Sequence, residues 1–269
     1  MYSDQRSQVV ATAVPLERTP AASLVVLPTY NERETLGDVV SAVVRHGYDV
    51  LVVDDNSPDG TGVIADRLAE SHAQVQVFHR SRKLGLGSAY RTGFRFGLQR
   101  SYKFIVEMDS DGSHDPEDLD RLIASARTSD GLSIGSRYIT GGGTRGWSVE
   151  RRLLSRAANT LCRSTLRRAL HDWTSGFRCY SVRVFDRVRL EDLSANGFSL
   201  QIELAYRCLQ NAVPVVEVPI TFREREAGTS KASKAEILEA LGCVARLRSR
   251  ARPFSREATI QARSSPHND

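Results

Sequence analysis

Short apolar runs of strand length alternate with helically spaced segments through the first half of the chain. Strands are predicted at residues 23–28 (SLVVLP), 48–54 (YDVLVVD), 75–79, 104–108 and 132–135. Helices are predicted between them, at residues 35–45, 59–69, 87–100 and 116–126. Strands that alternate with helices form right-handed βαβ units, and these build a parallel sheet covered on both faces. The predicted fold class is therefore α/β, with a Rossmann-like, mostly parallel central sheet.

The second half of the chain has a different pattern. Helices are predicted at residues 149–165, 197–210 and 232–250, with an extended strand at 213–222. The two ends, residues 1–22 and 251–269, are polar and contain proline, so we expect disordered tails there. We expect one domain between them, over residues 23–250.

The composition is that of an ordinary globular protein and excludes few functions. Of the 269 residues, 41% are hydrophobic and 26% are charged, which is enough for a sizeable core. The net charge of +5 and the pI near 9.2 favour anionic partners such as phosphates, acidic lipid surfaces or nucleic acid. Charge by itself does not choose among these three.

Cysteine usage and hydropathy bear on the cellular compartment. None of the four cysteines (Cys162, Cys179, Cys208 and Cys243) lies in a C-x-x-C pair or at metal-ligand spacing from a histidine. Scattered reduced thiols are typical of a cytosolic protein. No secretory signal is visible, and no apolar stretch approaches the roughly 18 to 20 residues that span a bilayer. We therefore expect a cytoplasmic protein, either soluble or peripheral on a membrane.

Polar clusters follow three of the predicted strands, at residues 28–32 (PTYNE), 54–60 (DDNSPDG) and 109–111 (DSD). Such sheets bind ligands at the carboxyl ends of their strands. Asp109 and Asp111 end an apolar strand, so both carboxylates can turn toward one cation. Mg²⁺ prefers oxygen ligands and bridges to substrate phosphates. Two acidic residues that merely open a loop are the alternative for this motif taken alone.

Three further tracts lie between and after these clusters, at residues 83–87 (KLGLG), 135–137 (GSR) and 174–178 (TSGFR). In their order along the chain, the six tracts resemble the family 2 inverting glycosyltransferases of the GT-A fold. Within that family they are most similar to the polyprenol-phosphate (dolichol-phosphate) mannose synthases. The resemblance covers roughly residues 23–250 and puts the C-terminal helices on the acceptor side. It implies metal-dependent transfer of mannose from GDP-mannose to a polyprenyl monophosphate, with inversion, and Mg²⁺ or Mn²⁺ as the cofactor.

The resemblance also implies a set of donor-binding residues. They are Pro28, Tyr30, Glu32, Val53, Asp55, Asp109, Ser110, Asp111, Arg225 and Lys231. Tyr30 can stack on a base, and Asp55 can accept hydrogen bonds from the base or the ribose. The alternatives are structural roles: Asp55 as a helix cap or Asx-turn residue, and Glu32 as the acidic opening of a helix.

Asp109 and Asp111 resemble the metal and diphosphate ligands of the family. Many relatives carry alanine between these aspartates and glutamine two residues after the second, whereas this chain has Ser110 and Ser113. Ser113 can offer a hydroxyl oxygen as a third, weaker ligand to the metal. A water molecule is the alternative at that position.

In the mannose synthases, the residues that match Arg137, Arg151 and Ser155 hold the phosphate of the lipid acceptor. Guanidinium groups suit this role because their fork of donors matches phosphate oxygens. For Arg151 the alternative is a solvated helix residue, and the neighbouring Arg152 competes with it for the role.

Residues 225–231 (REAGTSK) match the R-x-x-G-x-S-K segment of the family. By this resemblance, Arg225 and Lys231 reach over the donor diphosphate and stabilise the departing nucleoside diphosphate. A charged surface turn is the alternative. The catalytic residues that the resemblance implies are Asp109, Asp111, Arg137, Arg225 and Lys231.

The nature of the acceptor decides whether a general base is needed. A lipid phosphate monoester, with a second pKa near about 6, is already largely dianionic at neutral pH and needs none. A sugar hydroxyl would need one, and Asp115 and Asp172 are weak candidates. We assign neither of them a catalytic role.

A basic amphipathic helix is predicted near the C-terminus. Residues 232–250 carry apolar residues on one side and arginines at the end, a pattern typical of helices that lie on anionic bilayers. A helix packed on its own domain is an equally good interpretation. Integral relatives add transmembrane helices after the catalytic domain, whereas no membrane-spanning helix is predicted from this sequence. We therefore expect this chain to meet its lipid at the cytoplasmic face of a membrane, through surface helices or a membrane-anchoring partner protein.

Two other functions stay open at the level of sequence. One is a family 2 transferase that uses UDP-glucose or a soluble acceptor, because the identity of the base is not legible from Tyr30 and Asp55. The other is a non-catalytic binder of sugar nucleotides or nucleic acid. Nucleic acid is disfavoured because acidic residues at the strand ends would repel a phosphate backbone, and no RNA-recognition tract with interleaved aromatics is present.

Overall fold

The computed structural model describes residues 22–224, 234–249 and 260–262. Its strands are β1 (Ser23–Thr29), β2 (Asp49–Asp54), β3 (Val75–His79), β4 (Phe104–Glu107), β5 (Leu132–Ser136), β6 (Gly143–Arg145), β7 (Arg178–Ser181), β8 (Val215–Pro219), β9 (Thr221–Arg223) and β10 (Ile260–Ala262). Its α-helices are α1 (Leu36–Arg45), α2 (Thr61–Ser71), α3 (Leu86–Gln99), α4 (Leu119–Ser129), α5 (Val149–Leu166), α6 (Val184–Arg187), α7 (Ser199–Gln210) and α8 (Lys234–Ser249). Short 3₁₀ turns occupy Pro116–Asp118 and Leu190–Asp192.

Eight of the strands form one sheet, in the order β10-β8-β5-β7-β4-β1-β2-β3. Neighbouring strands are parallel except at β7, which runs antiparallel to both β4 and β5. The register pairs Val25 of β1 with Val50 of β2. A separate ribbon joins β6 and β9 in parallel. The α/β class and the mostly parallel central sheet predicted from the sequence are confirmed.

Both faces of the sheet are buried, because successive strand residues point to opposite sides. Leu24 and Val26 of β1 belong to the core that includes α3, α5, α7 and α8, whereas Val25 and Leu27 pack in the core that includes α1, α2 and α4. Every residue of β2 is buried. Strands that are buried on both faces have continuous apolar sequences, and for this reason these strands could be predicted from the sequence.

β7 and the segment at residues 213–222 differ from the expectation. β7 has no counterpart among the predicted strands, because the buried Arg178 interrupts the apolar pattern that marks the other strands. The strand predicted at residues 213–222 is two strands, β8 and β9, which belong to different sheets. Pro219 has no N–H with which to continue a ladder, and the chain leaves the main sheet after it.

The end of the chain also differs from the expectation. The sequence predicted a disordered tail over residues 251–269, whereas Ile260–Ala262 pairs in parallel with β8 as an edge strand. This pairing satisfies backbone groups of β8 that would otherwise form an open sheet edge.

Helix α8 packs on its own domain through part of its apolar side. Val244 and Leu247 are buried in the core, whereas Leu238 and Leu241 are exposed. The packed-helix interpretation therefore describes the second half of α8. Among the described residues, no helix has the length and apolarity that crossing a membrane requires.

Candidate active site

The strand order reverses between β1 and β4, which are neighbours although β2 and β3 lie between them in the sequence. In open α/β sheets, ligands bind in the crevice outside the carboxyl ends of the strands at such a switch point. The tracts at residues 28–32 and 109–111 follow these two strands and meet there. The Ser110 hydroxyl donates to the Pro28 carbonyl oxygen at 2.8 Å, and the Thr35 hydroxyl donates to the Ser110 carbonyl oxygen at 2.8 Å. Ser110 therefore pins the tract after β4 to the end of β1.

Asp109 and Asp111 lie in a tight turn after β4. Asp111 is buried and its Oδ1 accepts from the backbone N–H of Ser113 at 3.0 Å. Gly112, between them, has a φ of 77°, a left-handed conformation that glycine adopts without a steric penalty. The turn thereby fixes the second carboxylate, while the first stays partly exposed.

This set of oxygen atoms fits a hard divalent cation. Asp109 and Asp111 supply carboxylates, and the buried Ser113 hydroxyl has no hydrogen-bond partner among the described residues. In the described part of the chain, no group of three or more His, Cys, Asp or Glu side chains is arranged to hold a metal. Mg²⁺ is usually bound by one or two carboxylates together with substrate phosphates, so the two aspartates match a cation that a substrate helps to hold.

Tyr90 and His114 support Asp109, and sequence reasoning missed both. Tyr90 is buried in α3, and its hydroxyl donates to Asp109 Oδ1 at 3.3 Å. His114 Nδ1 accepts from the backbone N–H of Asp109 at 3.1 Å, so a neutral ring carries its proton on Nε2. Burial lowers the pKa of His114, which keeps the ring neutral, and the ring stacks on Phe177 at 4.8 Å. These contacts hold the first aspartate at the end of β4.

Tyr30 lies beside the glycine-rich tract at residues 83–87. Its side chain is partly exposed, and Lys83 Nζ stands 3.7 Å from the centre of its ring. An aromatic ring and a cation together suit a nucleotide, which offers a π-face and phosphates. Glu32 follows in the same loop, and its backbone N–H donates to the Thr61 hydroxyl at 2.9 Å.

Asp55, expected to bind the base or ribose, is engaged within the protein. Its Oδ2 accepts from the backbone N–H groups of Leu84 and Gly85 at 3.2 and 2.9 Å, and its carboxylate pairs with the buried Arg80. Asp55 therefore fixes the glycine-rich tract, and a nucleotide would have to share its oxygens. Sequence reasoning missed Arg80, because nothing in its local sequence marks the residue as buried.

Val53 is placed differently from the expectation. It has 0% exposure and belongs to the core that includes Phe94 of α3, so it presents no exposed atom to a nucleotide. Asp59, four residues after Asp55, forms a turn within the protein. Its Oδ1 accepts from the backbone N–H and the hydroxyl of Thr61 at 3.0 and 2.6 Å, which forms an Asx-turn at the start of α2.

Arg137 follows β5 and is buried together with Asp172. The carboxylate accepts from Arg137 Nε and Nη2 at 2.7 Å each and from its backbone N–H at 3.0 Å. Burial alone would raise the pKa of Asp172 and lower that of Arg137. The attraction between them outweighs burial, so the pKa of Asp172 is lowered and the pKa of Arg137 is raised. Both groups are charged, and the guanidinium is fixed in place.

Asp172 is in turn held by a buried glutamate that sequence reasoning missed. Glu217 of β8 accepts from the backbone N–H groups of His171 and Asp172 at 3.0 and 2.9 Å, and His171 Nδ1 lies 2.8 Å from it. A chain of contacts therefore runs from the sheet through Asp172 to Arg137. The only local signal was an acidic residue inside an apolar strand, which does not reveal its partners.

Trp147 lies between two arginines. The guanidinium carbons of Arg137 and Arg151 stand 5.4 and 4.3 Å from the centre of a Trp147 ring. Arg151 Nη1 also donates to Glu224 Oε1 at 2.9 Å. Arg152, the competing candidate, is exposed on the helix surface. Arg137 and Arg151 are thus joined through one aromatic ring, an arrangement stabilised by cation–π attraction.

Ser155 lies one turn after Arg151 on α5. Its hydroxyl is 2.7 Å from the Tyr138 hydroxyl, and Tyr138 is the residue that follows Arg137. The three residues expected at the acceptor phosphate are therefore brought together around Trp147 and Tyr138.

The loop that carries Thr174 runs between the aspartates and the arginines. Thr174 Oγ1 accepts from the Arg137 side chain at 2.8 Å. A Cβ added at Gly176 would lie 3.5 Å from Asp109 Oδ1, so the same loop passes beside the first aspartate. The fully buried Arg178 fixes the loop by donating to the Ser175 carbonyl oxygen at 2.7 Å. One short loop thereby connects both halves of the site.

Arg225 and Lys231, in the predicted closing segment, lie outside the described residues. Of the two weak candidates for a general base, Asp172 is bound to Arg137, and Asp115 pairs with Arg223 at 2.6 Å.

Sugar transfer from a nucleoside diphosphate calls for carboxylates beside a nucleotide crevice and for fixed positive charge across from them. This fold and site accordingly define a glycosyltransferase of the GT-A class. Residues 24–191 match the family model described as Glycosyl transferase family 2, and the chain belongs to that family.

Two relatives match most of the chain. It is 48% identical over 239 residues to a polyprenol monophosphomannose synthase from Mycolicibacterium smegmatis, which covers 87% of this chain and 88% of that protein. It is 45% identical over 227 residues to an undecaprenyl-phosphate mannosyltransferase from Micrococcus luteus, which covers 83% of this chain and 92% of that protein.

Solved structures with lower identity share the fold. Glucosyl-3-phosphoglycerate synthase from Mycobacterium tuberculosis superimposes with a TM-score of 0.62 at 18% identity, over 84% of this chain and 80% of that one. A mannosyltransferase from Pyrobaculum calidifontis, in complex with GDP-Man and Mn²⁺, superimposes with a TM-score of 0.59 at 15% identity, over 88% and 66%.

Proposed function

We propose that this protein transfers mannose from GDP-mannose to a polyprenyl monophosphate, with inversion at the anomeric carbon. One observation carries the proposal. Two mannosyltransferases named for polyprenyl-phosphate chemistry are 48% and 45% identical to the chain over 87% and 83% of its length. At such identity over nearly a whole domain, a shared substrate class is the simplest account.

The donor binds in the crevice at the carboxyl ends of β1, β2 and β4, with its diphosphate beside Asp109 and Asp111. Mg²⁺ or Mn²⁺ would be held by these two carboxylates and by the Ser113 hydroxyl, whose lack of a partner among the described residues supports this assignment. When bound, such a cation neutralises charge on the leaving diphosphate. By the resemblance, Arg225 and Lys231 supply positive charge to the departing nucleoside diphosphate.

The acceptor phosphate binds to Arg137, Arg151 and Ser155. A dianionic phosphate oxygen attacks the anomeric carbon while the bond from that carbon to the diphosphate of GDP breaks, and GDP leaves. Because this oxygen is already deprotonated, the reaction needs no general base. The ion pairs that engage Asp172 and Asp115 support a reaction without a base. Because Arg137 is already fixed by Asp172, it stabilises the phosphate with little reorganisation, and much of the acceleration comes from positioning.

The lipid tail of the acceptor requires the reaction to occur at a membrane surface. The protein acts there as a peripheral enzyme on the cytoplasmic face, alone or with a membrane-anchoring partner protein. Its net charge of +5 favours the anionic lipids of that face.

The test is incubation of the purified protein with radiolabelled GDP-mannose, Mn²⁺ and a long-chain polyprenyl monophosphate, followed by extraction into organic solvent. The label is expected in the organic phase. Label that stays entirely in the aqueous phase overturns the acceptor assignment. Titration calorimetry with GDP and with UDP tests the donor separately, and tighter binding of UDP would rule out GDP-mannose.

A further inference from the structure

A cavity of about 330 Å³ lies beside the ribbon that β6 and β9 form. Its walls come from the turn before α4 and the start of α4, from the loop after β5, and from the ribbon itself. This volume is at the lower end of the range for small-molecule sites in proteins. We call it the ribbon cavity.

The ribbon separates this cavity from the proposed acceptor site. Phe222, the middle residue of β9, packs on the rings of His114 and Trp147, with 5.2 and 5.3 Å between the ring centres. Its neighbours Thr221 and Arg223 line the ribbon cavity. Because successive residues of a strand point to opposite sides, the cavity lies on the opposite face of β9 from Trp147. It is therefore a different place from the proposed acceptor site.

Two arginines stand side by side on the cavity face of the ribbon. Arg145 of β6 and Arg223 of β9 are partners in the register, so their side chains share a face. Arg223 Nη2 donates to Asp115 Oδ2 at 2.6 Å, whereas the Arg145 guanidinium has no partner among the residues that the structure describes. Like charges at opposed strand positions are destabilising. A bound anion would offset this repulsion and give Arg145 a partner.

A third arginine reaches the cavity from α4. Arg121 Nη2 donates to the Pro219 carbonyl oxygen at 3.1 Å and also pairs with Asp118, so its guanidinium is held in place. A guanidinium has five N–H donors, and these contacts leave several of them available to a ligand. Three arginines and two aspartates on the lining give the cavity a net positive charge.

The mixture of charges on the lining defines the class of ligand. Guanidinium groups suit phosphate, because their fork of donors matches its oxygens. Asp115 and Asp118 would repel a bare anion, but their carboxylate oxygens can accept hydrogen bonds from hydroxyl groups. The hydroxyls of Thr140 and Thr221 add neutral donors and acceptors to the same lining. A phosphate ester that carries several hydroxyl groups, such as a sugar phosphate, matches both kinds of group.

The ribbon also connects the cavity to the proposed acceptor site. Arg145 lies two residues before Trp147, and its carbonyl oxygen accepts from the backbone N–H of Glu224 at 2.9 Å. Trp147 and Glu224 both contact the guanidinium of Arg151. A ligand that joins Arg145 to Arg223 would therefore restrict the segments that hold Arg151.

We infer that the ribbon cavity binds a phosphate ester that bears hydroxyl groups, and that its occupant acts on the acceptor site through the ribbon. Free sugar phosphates and the headgroups of hydroxylated phospholipids such as phosphatidylinositol share this chemistry. The action on the acceptor site rests on the proposed function, whereas binding to the cavity does not.

The experiment is titration calorimetry of the whole chain with mannose 6-phosphate, after GDP and Mn²⁺ have saturated the donor site. Arg145→Gln is expected to bind at least about tenfold more weakly than the unmodified protein, because charge-assisted hydrogen bonds to phosphate are lost. The matched control is Arg183→Gln, which removes an exposed arginine that pairs with Asp130 outside the cavity, and it should bind normally.

Further probes define where the ligand binds and what it must contain. Inorganic phosphate should bind at least about threefold more weakly than mannose 6-phosphate, because it lacks the hydroxyl groups that meet the aspartates. Mannose without phosphate should show no binding. Arg151→Gln should bind mannose 6-phosphate as the unmodified protein does, since Arg151 lies on the other side of the ribbon.

Flotation with vesicles distinguishes the two sources of the ligand. Phosphatidylinositol in phosphatidylcholine vesicles is compared with phosphatidylcholine alone, for the unmodified protein and for Arg145→Gln. Binding to phosphatidylinositol that depends on Arg145, without binding of mannose 6-phosphate, would identify the ligand as a lipid headgroup. Binding of mannose 6-phosphate that depends on Arg145 would identify it as a free sugar phosphate.

Transfer assays test the action on the acceptor site. Saturating mannose 6-phosphate should lower the KM for polyprenyl phosphate by about two- to threefold, because a ribbon that is already ordered costs less to fix when the acceptor binds. The KM for GDP-mannose should stay unchanged, and Arg145→Gln should not respond to mannose 6-phosphate.

Several outcomes overturn the inference. The first is equal binding of every probe by Arg145→Gln and the unmodified protein, and the second is binding that Arg151→Gln loses and Arg145→Gln keeps. Inorganic phosphate that binds as tightly as mannose 6-phosphate would overturn the assigned ligand class, and an unchanged KM for polyprenyl phosphate would overturn the action through the ribbon. Circular dichroism of each variant checks that a loss of binding does not reflect unfolding.

The inference and the proposed function fail separately. Transfer of mannose to polyprenyl phosphate, without binding of any probe that depends on Arg145, would overturn the inference and leave the proposed function standing. Binding that depends on Arg145, without transfer to polyprenyl phosphate, would overturn the proposed function and leave the cavity as a binding site.

Discussion

The guanidinium of Arg137 and the carboxylate of Asp172 form two side-chain hydrogen bonds of 2.7 Å in a buried environment. Asp172 is thus the group that fixes Arg137, although from the sequence it was only a weak candidate for a general base. This geometry gives Asp172 a positioning role toward Arg137, the arginine proposed to bind the acceptor phosphate.

Replacing Asp172 with asparagine should lower transfer by about 100-fold, because a buried guanidinium would lose its counter-charge. The loss should fall mainly on the KM for the lipid phosphate, while the KM for GDP-mannose changes little, as steady-state kinetics with each substrate varied in turn would reveal. Asp130→Asn is the matched control, since Asp130 pairs with Arg183 at 2.8 Å on the exposed surface. Equal losses for the two variants would contradict the positioning role.

The same substitution should change how stability depends on pH. Burial acts to raise the pKa of Asp172, but Arg137 outweighs it and holds the pKa below the ordinary value. A carboxyl whose pKa is lowered by folding stabilises the protein above its unfolded pKa of about 3.9 and loses that contribution as the pH falls through the folded pKa. Urea unfolding of the protein and of Asp172→Asn should differ most above about pH 5, with a gap that narrows below about pH 4. If the difference in free energy of unfolding between the two proteins grows as the pH falls, the pKa of Asp172 is not lowered by folding.

If Arg151 binds the acceptor phosphate as proposed, Glu224 competes with that phosphate for its guanidinium. Its carboxylate occupies Arg151 Nη1 at 2.9 Å, and an exposed pair of this kind is worth up to about 1 kcal/mol. Glu224→Gln should therefore lower the KM for polyprenyl phosphate by about two- to fivefold, with little change in kcat. Glu191→Gln, which removes an exposed carboxylate near Arg189, controls for the overall change in charge. A higher KM in Glu224→Gln would mean that the glutamate holds Arg151 in its productive position.

Helix α3 approaches β1 closely at Gly93. A Cβ there would lie 2.4 Å from a methyl carbon of Val26, which is buried in the core. Gly93→Ala should lower the free energy of unfolding by about 1–3 kcal/mol, the usual cost of overpacking. Gly37→Ala in α1 is the matched control, since nothing lies within 4 Å of a Cβ there, and it should raise stability by up to about 1 kcal/mol. Urea titration measures both, and a neutral Gly93→Ala would mean that α3 can move away from the sheet.

The parts of the fold that the sequence predicted are those with local signals. β1 and β2 are buried on both faces and therefore appear as continuous apolar runs. β7 escaped detection because Arg178 is satisfied by carbonyl oxygens of Trp173, Ser175 and Gln201, which are partners that only the tertiary structure brings to it.

In the site, too, residues with a local sequence signal were predicted, and residues that act through tertiary contacts were not. Asp109 and Asp111 were visible from their place at a strand end and from the family resemblance. Glu217 was not, because it acts through Asp172, a residue 45 positions away in the sequence. The resemblance also assigned Val53 to the nucleotide, although its side chain is fully buried in β2, and that is where the expectation and the structure differ.

Asp109 and Asp111 are proposed to hold a divalent cation together with the donor diphosphate. The most direct test is titration calorimetry of GDP in the presence of Mn²⁺ with the unmodified protein and with Asp111→Asn. Glu117→Gln, an exposed carboxylate six residues further on, serves as the control. Asp111→Asn is expected to bind GDP and Mn²⁺ at least about 100-fold more weakly than the unmodified protein, while Glu117→Gln binds them normally. Unchanged binding of GDP and Mn²⁺ by a folded Asp111→Asn protein would contradict it.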